Sequence, residues 1–155
     1  VFLTALLEVV KYYHGKVIDI MGDGLMVFWG GAVAREEDNM VKSLAVQNAG
    51  LCGRDMLKIR GSVINRIIED EQLGPKVSIG VGVTFDSVIV TKIADSYDVK
   101  AFGDCINVAS HYAGQTENKV KVSKKVKYEW PSSKGGRIRF TLAGDDGAYY
   151  LESGS

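Results

Sequence analysis

The stretch Lys16-Val17-Ile18-Asp19-Ile20-Met21-Gly22-Asp23-Gly24-Leu25-Met26-Val27-Phe28-Trp29 consists of two apolar, partly β-branched runs interrupted by Gly-Asp-Gly. Asp-Gly accepts positive φ at low cost, so the pattern predicts a β-hairpin with Asp23 on its exposed turn. Upstream, Phe2, Leu3, Leu6, Leu7 and Val10 recur at helical spacing. That helix is expected to stop near His14-Gly15, with Gly15 in the left-handed end position and His14 near the helix dipole. Downstream, from about Ala34 to Gln72, Met40, Leu44, Leu51, Met56, Val63, Ile64, Ile67 and Ile68 follow a helical period. Gly50, Gly53 and Gly61 each cost about 1 kcal/mol relative to Ala inside a helix, so two helices or one kinked helix are expected.

After Gly74-Pro75, alternation returns in 77–83 and again in 88–93, which reads as two strands paired with each other. Tyr97 to Phe102 is a third short strand, and Gly103-Asp104 opens a helix through about Ala113. On that helix Asn107 and His111 are four apart and share a face. A strand at Lys119 to Val122, a helix begun by Ser123 and ended before Pro131, and strands at Ile138 to Leu142 and Tyr149 to Glu152 complete the chain. No repeat or linker divides it. Strands and helices alternate irregularly and include a hairpin, so an α+β domain is expected.

At 155 residues and 46% apolar composition, one domain can bury a core. Nineteen Lys and Arg balance nineteen Asp and Glu, leaving no bulk field to draw the chain to nucleic acid or an anionic membrane. No apolar run approaches the roughly 20 residues of a membrane span. Two cysteines, Cys52 and Cys105, are too few for a stapled secreted scaffold, so free thiols and a cytoplasmic location are expected.

Asp23 offers a hard cation an exposed carboxylate with uncrowded backbone, although a turn alone also accounts for it. Gly103-Asp104-x-x-Asn107 could hold a phosphate or sugar at a helix start, or Asp104 could only cap the helix. Asp19, read on the same face as Val17 and Met21, and Lys100, between Val99 and Ala101, are charges in apolar strands. They could lie on a wet sheet face or pair with each other. His111 has no second histidine near it in sequence, so zinc has little support. The basic cluster from Lys119 to Lys127 reads as a solvated helix face.

The order of these signals is more specific than any one of them. The segment from His14 to Gly30 strongly resembles the metal-binding hairpin of class III nucleotidyl cyclases. The run Tyr97-Asp98-Val99-Lys100-Ala101-Phe102-Gly103-Asp104-Cys105-Ile106-Asn107-Val108-Ala109-Ser110 resembles their ribose-orienting strand and helix, and the strand Ile79 to Val83 falls between the two. The resemblance spans nearly all of residues 1–155. It implies a ferredoxin-like α+β core with a mainly antiparallel sheet flanked by helices, working as a head-to-tail homodimer with the active site between subunits. By the same resemblance, Asp23 would be one of two aspartates holding two Mg²⁺ or Mn²⁺ ions. The ions would assist attack of the ribose 3′-hydroxyl on the α-phosphate, giving a 3′,5′-cyclic nucleotide and pyrophosphate. Asn107 would position the ribose, and His111 stands where the family has an arginine that stabilises phosphate charge.

Several positions depart from the family pattern. The second aspartate belongs to a strand that would precede Val1, so the domain is expected to lack its first strand and helix here. No phosphate-binding lysine has a counterpart around Ala143 to Asp146. The base-reading pair of adenylyl-forming relatives, Lys then Asp, is exchanged as Asp19 and Lys100. Lysine only donates hydrogen bonds and ionised aspartate only accepts. In a fixed pocket the exchange selects a carbonyl beside a ring N–H, which uracil and guanine carry and adenine and cytosine do not. The tail after Trp130-Pro131 is also similar to the pyrimidine cyclases of bacterial Pycsar anti-phage systems, so UTP is expected first and GTP next. A degenerate, non-catalytic cyclase-like regulatory or nucleotide-binding domain is the alternative. A nucleic-acid-binding ferredoxin-like module would need a basic face that the neutral composition does not supply.

Overall fold

The computed structural model describes residues 2–21, 24–29, 39–75, 78–85, 89–92, 99–102, 104–131, 138–144 and 146–153. Helix α1 (Phe2–Tyr12) leads into the hairpin β1 (Lys16–Met21) and β2 (Gly24–Phe28). Helix α2 (Asn39–Ile59) runs through a π-helical turn (Arg60–Ile64) into α3 (Asn65–Asp70). Then come β3 (Gly80–Val83), β4 (Ile89–Lys92), β5 (Val99–Phe102), α4 (Asp104–Gln115), β6 (Lys119–Val122), α5 (Lys124–Glu129), β7 (Ile138–Leu142) and β8 (Tyr149–Ser153). This is the expected α+β class. Among the described strands, β3–β6–β8–β7 form one sheet, parallel between β3 and β6 and antiparallel elsewhere, while β1–β2 and β4–β5 are antiparallel pairs.

The expected pairing of 77–83 with 88–93 is corrected. β3 pairs with β6, and β4 pairs with β5. Alternation locates a strand but says nothing of its neighbour, and here α4 carries the chain back to place β6 beside β3.

The end of α1 also differs in detail. His14, at φ 64°, takes the left-handed position, while the Gly15 N–H reaches back to the Val10 carbonyl and the His14 N–H to that of Lys11. This is the paired-bond helix end usually built on glycine. Gly15 is needed for another reason: a Cβ there would lie 2.7 Å from Trp29 Cζ2 and from Val27 Cγ1. The Trp29 indole N–H donates to the Tyr13 carbonyl at 2.8 Å, fastening β2 to the end of α1.

The long helical pattern resolves as a single path with a π-helical turn at Gly61, in keeping with the expected kink. Gly50 and Gly53 do not break α2, because both serve close packing. A Cβ at Gly50 would lie 2.4 Å from Trp130 Cζ3, and one at Gly53 2.8 Å from Val81 Cγ1. Helix α2 thereby joins two cores. Val46 packs with Val83, Val120, Val122, Val126 and Leu151 against the large sheet. Cys52 and Met56 pack with Leu6, Val9 and Val10, walled by Val17, Leu25 and Trp29. Cys52 is a free thiol, as expected, and burial pushes its pKa up to about 12, so it is inert packing material. Ser123 caps α5 by accepting from the Val126 N–H at 3.4 Å. No helix among the described residues is long and apolar enough to cross a membrane.

Candidate functional site

Helix α4 rests directly on the backbone of β3. A Cβ on Gly80 would lie 2.1 Å from the Ala113 carbonyl oxygen and 2.3 Å from that of Thr116, and one on Gly82 2.1 Å from that of Ala109. Only glycine allows an approach this close. Asn118, at φ 57°, locks the join. Its side-chain oxygen accepts from the Ile79 N–H at 3.1 Å, and its own N–H donates to the Ile79 carbonyl at 2.6 Å. Seated in this way, α4 leaves Asn107 and His111 exposed one turn apart, as the four-residue spacing predicts.

The hairpin is present. Met21 pairs with Gly24, and Asp23, one of the two residues joining the strands, lies outside the described residues. Its metal role is an expectation from sequence alone. Among the described residues, no group of three or more His, Cys, Asp or Glu side chains could hold a metal ion.

Asp19 is exposed, but its relation to Val17 is corrected. Val17 pairs with Val27 and Asp19 with Met26, so a β-bulge at Ile18 breaks the alternation between them. Val17 packs against the α1–α2 core while Asp19 faces water. Bulges redirect side chains in this way, and a period-two reading cannot see them. Lys100 lies in β5 opposite Thr91, and its side chain is outside the described residues. Strands β1 and β5 approach each other, with some Cα atoms within 8 Å, without pairing. The two strands that carry Asp19 and Lys100 are thus neighbours, although they are distant in sequence and belong to different hairpins.

The basic cluster at 119–127 is not simply a solvated helix face. Lys119 and Lys121 belong to β6, and Lys121 is only 5% exposed. Its ammonium donates to Asp146 Oδ2 at 2.8 Å and to Gln115 Oε1 at 3.1 Å, and lies 4.7 Å from the centre of the Tyr112 ring. The hydrogen bond from Lys121 holds the Asp146 carboxyl below its ordinary pKa. Lys119, Lys124 and Lys127 lie over the rings of Tyr150, Tyr128 and Tyr149. The alternation Lys119-Val120-Lys121-Val122 was the available signal. Period two puts both valines on the α2 side and both lysines on the α4 side, where Gly82 pairs beside Lys121 and leaves it room.

A separate groove of about 480 Å³ lies between α1 and α2, lined by Tyr12, Tyr13, Arg54, Asp55 and Lys58 among others. The Tyr13 hydroxyl donates to Asp55, which also pairs with Arg54 at 3.1 Å. Burial, followed by the Asp55 hydrogen bond, pushes Tyr13 up to about 12. Asp19, Asn107 and His111 do not line this groove.

No protein-family model matches the chain, and no curated protein matches it. Solved structures do. The non-canonical dimeric guanylyl cyclase domain of the RhoGC fusion protein from the aquatic fungus Blastocladiella emersonii superposes with a TM-score of 0.71 at 12% identity, over 98% of this chain and 77% of that one. The guanylate cyclase domain of RhGC from Catenaria anguillulae, in complex with GTP, gives 0.67 at 11% identity, over 99% and 81%. The adenylyl cyclase CyaB from P. aeruginosa gives 0.63 at 17% identity, over 97% and 76%. With its helix-flanked, mainly antiparallel sheet, the chain has the fold of adenylyl and guanylyl cyclase catalytic domains.

Proposed function

We propose that this domain is a nucleotidyl cyclase that converts a nucleoside triphosphate, UTP in preference and GTP next, to its 3′,5′-cyclic monophosphate and pyrophosphate. The observation that supports it most is the adjacency of β1 and β5 within a cyclase fold. Two sequence-distant strands, one carrying Asp19 and the other Lys100, which differ in hydrogen-bonding type, come together where the resemblance puts base recognition.

In this reading, Lys100 donates to the base carbonyl and Asp19 accepts from the adjacent ring N–H. Asn107 of the opposite subunit in a head-to-tail homodimer orients the ribose. His111 faces the phosphate and opposes its charge, in the place of the family's arginine. Asp23 offers the carboxylate oxygen that Mg²⁺ or Mn²⁺ prefers, beside a glycine on either side. When bound, two such ions would supply Lewis-acid charge neutralisation. The enzyme is proposed to be cytoplasmic, its product a signal in anti-phage defence.

The test is product analysis by mass spectrometry after incubating the full-length protein with ATP, GTP, CTP and UTP separately in Mn²⁺. Cyclic UMP is expected in largest amount and cyclic GMP next. Preferential cyclic AMP would defeat the base assignment, and no cyclic product from any substrate would defeat the enzyme reading.

A further inference from the structure

The exposed stripe of α4 has a third member. Gln115 follows His111 by four residues, as His111 follows Asn107, and all three are exposed. Gln115 is also where the buried Lys121 grips the helix, and Lys121 is anchored in turn to Asp146 in the turn between β7 and β8. We infer that Lys121 is a positioning residue, which through Gln115 sets the axial register of α4 and with it the placement of Asn107 and His111. The inference rests on the cyclase reading.

The ammonium is fully engaged. Among the described residues, its two hydrogen-bond acceptors and the Tyr112 ring face enclose a side chain that is 6% exposed, which leaves little room for a ligand. Nor is stability a sufficient reason for it. Asp146 keeps 45% of its side chain exposed, so water screens the ion pair and limits what it adds to stability. What an apolar residue cannot supply is a directional link to one point on α4. The helix is also held close to the sheet by the glycine backbone of β3 against Ala109 and Ala113, and Asn118 ties the turn after it to Ile79, but Gln115 is where a side chain from β6 bonds to the exposed stripe itself. A helix is stiff, so a shift at Gln115 is transmitted to Asn107, about 12 Å away along the axis. Displacements near 1 Å can cost a hundredfold in rate.

The experiment measures kcat and KM for the preferred nucleotide in Lys121→Met, Gln115→Ala and their double variant, with a thermal melt to establish that each is folded. Gln115 is exposed, so Gln115→Ala leaves both cores untouched and keeps the test informative if Lys121→Met folds poorly. The expected result is a fall in kcat of about tenfold or more in each single variant with KM within about twofold. The double variant should be no worse than Lys121→Met alone, and Lys121→Arg, which can donate to both partners, should regain part of the loss. An active wild type whose Gln115→Ala variant keeps its full kcat would overturn the inference. So would losses that merely track the folded fraction. A wild type that makes no cyclic product fails as a cyclase, and the inference falls with it.

Discussion

Gly82→Ala is expected to lower stability by about 3 kcal/mol or more, at or beyond the usual 1–3 kcal/mol of an overpacked site. The new methyl would lie 2.1 Å from the Ala109 carbonyl oxygen, 2.8 Å from the Ala113 nitrogen and 2.8 Å from Tyr112 Cβ. Two of these three atoms are helix backbone and the third is fixed to it, so none can swing aside as a long side chain would. Either α4 lifts from β3 or the strand shifts, and both strip packing from the join. For a chain of this size the thermal midpoint should fall by roughly 6–12 °C. Gly61→Ala is the control, since a Cβ there meets nothing within 4 Å. Its midpoint should stay level or rise slightly with the gain in helix propensity. Calorimetry on the two variants reads the comparison, and a Gly82→Ala midpoint within a degree or two of wild type would mean that α4 does not rest on this strand.

The second large effect is on base choice. Exchanging the charged pair, Asp19→Lys with Lys100→Asp, should invert the preference toward ATP or CTP, because the pocket would then accept from an exocyclic amino group and donate to a bare ring nitrogen. A good bidentate hydrogen-bonding pair discriminates between bases by about 1–3 kcal/mol in nucleic-acid recognition. A shift in relative kcat/KM of about tenfold to a hundredfold is the corresponding expectation. Each single variant should be poor with all four nucleotides, since two donors or two acceptors then face one base edge. Asp19 is exposed on β1, so its replacement does not disturb the α1–α2 core. Relative kcat/KM across ATP, CTP, GTP and UTP is the measurement. An unchanged ranking in the exchanged variant would show that these side chains do not meet the base.

Which parts of this could be read from residues alone has a physical explanation. The hairpin at 16–28 was legible because Asp-Gly between two β-branched runs leaves few other options, and α4 because Asn107 and His111 ride a clear helical period. Strand partners were not legible. Nothing local to 80–83 says that it pairs with 119–122 and not with 89–92. The bulge at Ile18 was hidden for a related reason, since the extra residue is chosen by the partner strand. Gly50 and Gly53 suggest a break or kink by propensity, whereas in α2 close contact with Trp130 and Val81 offsets that cost. Lys121 was missed because charge density suggested solvent, and only its β-period and the small residue beside it pointed inward.

Combining two inactive variants tests the central claim most directly. Asp23→Ala and Asn107→Ala, purified separately, should each lose cyclase activity. Mixed under conditions that allow subunit exchange, they should form heterodimers in which one of the two shared sites is intact, and activity should return to a substantial fraction of wild type. A mixture that exchanges subunits yet stays as inactive as its components would contradict a site built from the hairpin of one subunit and α4 of the other.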